Sequence, residues 1–150
     1  MKTLALAIVV LAAAALAPLA AADAVYPTEH LALTPVGDAP LRSGFVQNIK
    51  ANGPEVYAHE IFVLNGAKPN TTYTVTRRFF AFNPGCAAGE GTDEMATVTT
   101  NAAGNARADA FVRPEQVPPP YRGKHGVLWT VADASKTIRY STTCTEVTLD

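Results

Sequence analysis

No stretch of residues 25–150 keeps an apolar repeat of 3.6 residues; apolar positions alternate instead, and turn-forming residues cut the chain at short intervals. A helix buries a stripe that recurs every third or fourth residue, whereas a strand buries every second one. Tyr73, Val75 and Phe79 follow the strand rule, as do Val127, Trp129 and Val131. Pro35 with Gly37, Asn52-Gly53-Pro54, Asn65-Gly66, Asn83-Pro84-Gly85 and the run from Asn101 to Asn105 around Gly104 supply the breaks. Sixteen threonines after residue 24 add β-branched side chains suited to a pleated, half-buried surface. The predicted strands are Glu29–Thr34, Leu41–Ile49, Glu55–Leu64, Thr72–Phe82, Met95–Thr100, Arg107–Val112, Val127–Ala132 and Ile138–Leu149. Near Arg77-Arg78 the phase blurs, because Phe80 and Phe82 alternate against Phe79. A β-bulge or burial of both faces accounts for that. The pattern predicts an all-β chain, a β-sandwich of about seven to nine strands.

The first 24 residues carry a different signal. Lys2 precedes an unbroken apolar run from Leu4 to Ala17, Pro18 ends it, and Ala20-Ala21-Ala22-Asp23-Ala24 follows. This order of charge, apolar core and small residues is that of a secretory signal peptide, and the run is short for a bilayer. Cleavage after Ala22 or Ala24 is expected, with Ala24 favoured, leaving 25–150 as one β-sandwich domain. Without that leader, 52 of the remaining 126 residues are hydrophobic, as in a globular domain. No second apolar segment follows, so the expectation is a monomeric protein free of the membrane. It would be extracellular, or periplasmic in a Gram-negative source.

Export changes the reading of Cys86 and Cys144, the two cysteines of the chain. An oxidising compartment makes a structural disulfide the expected state, worth roughly 4 kcal/mol by loop closure. Metal ligation is the alternative, although neither cysteine has a nearby His or Cys at ligand spacing. With 12 basic and 13 acidic residues, the chain has no field to draw nucleic acid or an anionic membrane.

Ala67-Lys68-Pro69-Asn70-Thr71-Thr72-Tyr73-Thr74-Val75 resembles the P-x-T-x-Y-x-V entry to a strand in fibronectin type III and other immunoglobulin-like domains. The resemblance implies an immunoglobulin-like sandwich and makes Tyr73 a structural corner, its hydroxyl bonded back to the preceding turn. It departs from the fibronectin order, since 77 residues follow Tyr73. The corner, then Cys86, then Thr100-Asn101-Ala102-Ala103-Gly104-Asn105-Ala106 as a hairpin is similar to small exported immunoglobulin-like proteins of high-GC bacteria. Among these, neocarzinostatin-like apoproteins hold a small aromatic molecule in a sandwich cleft. That group has two disulfides, whereas this chain can form one.

Catalytic patterns are absent. His30, His59 and His125 lie on separate segments, and no H-x-H, H-E-x-x-H, C-x-x-C or G-x-S-x-G occurs. No His or Met follows Cys144 at a blue-copper spacing. No catalytic, cofactor-binding or metal-binding residue is therefore assigned. A triad from His59, Asp109 and Ser141 remains possible only through folding. On a strand His59 and Glu60 should face opposite ways, His30 should sit in a fraying terminus, and His125 in a Gly-Lys-His-Gly turn. Gly89-Glu90-Gly91-Thr92-Asp93-Glu94 reads as an acidic solvated loop, with weak calcium binding as the alternative. Pro118-Pro119-Pro120-Tyr121 reads as a polyproline II crossover between sheets or a docking segment. Asn70-Thr71-Thr72 is a glycosylation sequon in a eukaryotic secretory route only.

These readings predict an exported, non-enzymatic binding or structural module, whose partner is a protein, a glycan or a small apolar ligand. The alternative is a carrier of a small apolar ligand lined by Trp129, Tyr140 and Phe79–Phe82. An enzyme with an unpatterned site is the third possibility.

Overall fold

The computed structural model describes residues 28–50, 58–117 and 119–149; the segment 1–24 expected to be a signal peptide and the Asn52-Gly53-Pro54 break lie outside them. Among the described residues ten strands form: β1 Thr28–Ala32, β2 Thr34–Pro35, β3 Ser43–Ile49, β4 Ala58–Asn65, β5 Thr72–Phe80, β6 Glu90–Thr99, β7 Ala106–Val112, β8 Gly123–Asp133, β9 Ile138–Ser141 and β10 Thr145–Leu149. They make two antiparallel sheets packed face to face, one ordered β1-β3-β4-β7 and the other β2-β9-β8-β5-β6, with β10 also on β8. The chain is a β-sandwich. Its core joins Val46, Phe62 and Leu64 of the first sheet to Tyr73, Val75, Trp129, Val131 and Tyr140 of the second.

Two expected strands are each divided, which raises the count. Glu29–Thr34 breaks at buried Leu33, because β1 pairs with β3 in one sheet and β2 with β9 in the other. Ile138–Leu149 breaks at residues 142–144, where the Thr142 hydroxyl accepts a bond from the Trp129 N–H at 3.0 Å and Cys144 enters its disulfide. Cys86 and Cys144 are joined, with Cα atoms 6.1 Å apart. The bond ties the irregular segment after β5 to the junction of β9 and β10.

Four local expectations are corrected. Glu90–Glu94 is the first half of β6, not a loop. It is polar because β6 lies at the sheet edge and pairs only with β5. His125 lies in β8, not in a turn. Gly126 is needed there for close approach, since a Cβ would stand 2.3 Å from the Asn83 carbonyl and 2.8 Å from Cys86 Sγ. Pro119–Tyr121 forms a 3-10 turn closed by Arg122 N–H on the Pro119 carbonyl at 3.2 Å, not polyproline II, although the segment does cross between sheets. The Thr100–Ala106 segment likewise crosses from β6 to β7 rather than closing a hairpin. The register shift falls between Val75 and Thr76, with Met95 the extra residue on β6, just before the blurred phase at Arg77.

Tyr73 is buried at the corner, but its hydroxyl has a different partner from the one its motif implies. It meets the Tyr140 hydroxyl at 3.3 Å, and Tyr140 donates to the Pro40 carbonyl at 2.9 Å. The corner itself is held by Thr100, 2% exposed, which donates to the Lys68 carbonyl at 2.7 Å and accepts from the Thr71 N–H at 2.9 Å. Burial, then the Tyr73 contact, raise the Tyr140 pKa. The two tyrosines are therefore unequal. Tyr73→Phe should cost about 1 kcal/mol, because Tyr140 keeps its carbonyl acceptor; Tyr140→Phe should cost about 2 kcal/mol, because the buried Tyr73 hydroxyl and the Pro40 carbonyl both lose their partner. Urea melts of the two variants will rank them, and an equal or reversed order would refute the relay.

Candidate functional site

Strand alternation carries two opposite charges into the core. Glu60 shares the inward phase of Ala58, Phe62 and Leu64 on β4, and is 1% exposed. Arg77 shares the inward side with Tyr73 and Val75 on β5 and faces it across the sandwich. Arg77 Nη1 donates to Glu60 at 3.3 Å and Nη2 to Asp93 on β6 at 2.8 Å, while Trp129 Nε1 donates to the other Glu60 oxygen at 2.7 Å. Burial raises the Glu60 pKa, and Arg77 and the Trp129 bond oppose it. Beside this cluster a cleft of about 380 Å³ opens, lined by Phe79, Val117, Tyr121 and Leu149, with Arg77, Asp93 and Gln116 as polar groups. Sequence reasoning placed Glu60 opposite His59 but missed its partnership with Arg77. The signal was present: both charges sit in the apolar phase of their strands.

His59 faces outward, away from Glu60, as alternation requires. Folding brings it to Asp109, with Nε2 2.9 Å from the carboxylate, and stacks it on Phe111 at 4.4 Å between ring centres. The His59 bond, then Arg107, hold the Asp109 carboxyl below its usual range. Ser141 is not brought to them. It lies on β9 in the other sheet and donates to the Thr142 carbonyl, so this trio forms no triad. Among the described residues no group of three His, Cys, Asp or Glu side chains gathers for a metal ion. Asp93 of the expected acidic loop is taken by Arg77. His30 is ordered on β1 and packs on Phe45 at 4.2 Å.

The outward face of the β1-β3-β4-β7 sheet collects more apolar surface than such a face needs. Strand register places Ile49, His59 and Phe111 in one row and Phe45 and Val63 in another, with Ile61 between them. Phe111 is 49% exposed. The outward face of the other sheet differs, carrying Thr72, Thr74, Thr76 and Arg78 on β5. Of the aromatics proposed to line a ligand, Trp129 and Tyr140 are core residues, while Phe79 does reach the cleft.

Comparison with protein-family models, with curated proteins and with solved structures finds no match to this chain.

The buried pair makes unequal demands on its members. Arg77→Met strands a buried carboxylate and should cost about 3–5 kcal/mol, whereas Glu60→Gln keeps an acceptor for Trp129 and should cost less than half of that. Denaturant melts followed by the single tryptophan, Trp129, will compare them. Equal losses would show that Glu60 is not held as a charge.

His125 is fully buried against Phe79 and Phe82, and its Nδ1 accepts the Phe82 N–H at 3.0 Å. Burial lowers its pKa, with the Tyr121 backbone opposing. Above the unfolded value near 6.5 both states are neutral and His125 adds no pH dependence. As pH falls below it, the unfolded chain takes up a proton that the fold resists, so stability is lost in that direction. In His125→Asn, which keeps an acceptor for Phe82, the melting temperature should fall less steeply below pH 6.5 than in the parent. Parallel acid limbs in a thermal series would disprove this assignment.

Proposed function

We propose that the chain is an exported, non-catalytic, monomeric binding module that docks a protein partner on the outward face of its four-stranded sheet. One observation carries this reading: Phe45, Ile49, Ile61, Val63 and Phe111 cluster on a face where the opposite sheet presents threonines and Arg78. Phe111 is exposed and the other four are half-buried around it, and apolar surface gathered in that way is a mark of association. His59, Asp109 and Arg107 give the patch a polar border. Export rests on the leader-like segment 1–24 and agrees with the disulfide. The alanine-rich leader supports a bacterial source. Among the described residues no helix is long and apolar enough to cross a membrane.

A specific observation favours a second reading, a carrier of a small apolar ligand: the cleft beside Arg77 with its Phe79, Val117, Tyr121 and Leu149 lining. Native mass spectrometry of protein from its natural producer separates the two. The docking reading expects an added mass of protein size that Phe111→Glu removes with an unchanged melt, since aromatic anchors of an interface carry about 2 kcal/mol or more. A small added mass retained by that variant supports the carrier. A protein complex that survives Phe111→Glu and Ile61→Lys would sink the docking face.

A further inference from the structure

At the opposite end of β5 from Arg77, a pocket of about 500 Å³ opens between three segments: the connection from β2 to β3, the corner before β5, and the turn from β8 to β9. It differs in chemistry from the apolar cleft. Asp38, Lys68, Thr71, Tyr73, Arg139 and Tyr140 are among its lining residues, and its formal charges balance, since Asp133 also lines it.

Hydrogen bonding decides which of these groups are available. Arg139 Nε donates to Asp133 at 2.6 Å, and the other Asp133 oxygen accepts the N–H groups of Ser135 and Thr137. The Ser135 hydroxyl, then Arg139, hold the Asp133 carboxyl down to about 2. Asp133 is thus committed to its own turn. Among the described residues the side chains of Asp38 and Lys68 make no hydrogen bond or ion pair, so one carboxylate and one ammonium remain. At the floor, Tyr140 gives its proton to the Pro40 carbonyl, so Tyr73 is the donor in the contact between the two phenols. The Tyr73 oxygen keeps its lone pairs, and the Thr71 hydroxyl, which donates to the Pro69 carbonyl, keeps its own.

Free acceptors and free donors therefore face one space with no net charge. An anion would meet Asp38, and a cation would meet Lys68 and Arg139. A hydroxyl both donates and accepts, and satisfies each kind of group. Ala39, Pro40 and Ala134 offer apolar contact for C–H groups between the hydroxyls. The geometry points to a binding site for a neutral polyhydroxylated ring, a monosaccharide or the end of a neutral glycan. This site is independent of the docking face and of the apolar cleft. Its walls are held in advance by the Thr100 bonds at the corner and the Asp133 bonds in the turn, which favours recognition over induced ordering.

Titration of the ¹⁵N-labelled protein tests the site, with methyl β-D-glucoside, methyl α-D-mannoside, methyl β-D-galactoside and N-acetylglucosamine as neutral probes. Glucuronate and glucosamine serve as charged versions of the same ring. Saturable amide shifts confined to residues 38–40, 68–73 and 133–140 are expected with at least one neutral probe, and weaker ones with both charged rings. Asp38→Ala and Lys68→Ala should each weaken binding roughly tenfold, the loss of one charge-assisted hydrogen bond, without moving the melt. Both side chains are exposed, so neither change threatens the fold. The inference is overturned by the absence of saturable shifts with every neutral probe, by tighter binding of glucuronate than of glucose, or by binding that survives both substitutions.

Discussion

The bond between Glu60 and Arg77 is the constraint around which the two sheets are arranged. It joins β4 of one sheet to β5 of the other through the core, and Trp129 on β8 adds a third strand by its indole N–H. Burying two charges is costly, and their attraction offsets that cost only when the geometry holds. Here the geometry holds because Asp93 on β6 anchors the far side of the guanidinium. The pair also punishes misalignment. Slipping β4 by one residue would turn Glu60 to solvent and bring His59 inside, leaving Arg77 without its buried carboxylate partner. An apolar core tolerates many packings, whereas this one has a register written into it.

Much of this was legible in the alternation of the chain, and the misreadings have physical causes. Tyr73, Val75, Trp129 and Val131 point inward as their period requires, and Cys86 meets Cys144. Glu60 and Arg77 obey the same period, yet charge argues for the surface, and only a partner on a distant strand reverses that argument. Sequence holds no measure of such pairing. Glu90–Glu94 misled for a related reason: an edge strand pairs on one side only, and its composition is that of a loop. His125 misled through its glycines. Gly126 is there so that the Asn83 carbonyl and Cys86 can approach β8, a tertiary demand that no turn rule anticipates. Tyr73 was recognised as a fold residue, but Thr100 and Tyr140 divide the role its motif assigns to it.

The division of labour between the two outward faces follows from the same topology. Threonine on β5 provides strand propensity while keeping its face wet. On β3 and β4 the outward residues include Phe45, Ile49, Ile61 and Val63, which have equal or greater strand propensity and no need to be apolar for the fold. Their inward neighbours Val46, Phe62 and Leu64 already supply the core. Strand formation alone would be served as well by threonine at those positions, as the other sheet demonstrates.

That difference bears on how such a chain keeps from self-associating through its edges. Strand β6 leaves one edge unpaired, and it carries Asp93, Glu94 and the register shift at Met95, each of which discourages another strand from adding to it. The outward face of the other sheet has no comparable protection at its centre, where Ile61 sits between Gln47 and Asp109, with Val63 and His59 to either side along β4. Charge thus guards the edge against backbone pairing, while the outward face of the four-stranded sheet keeps half-buried apolar side chains. The Glu60–Arg77 bond beneath β4 fixes the register in which those side chains are presented.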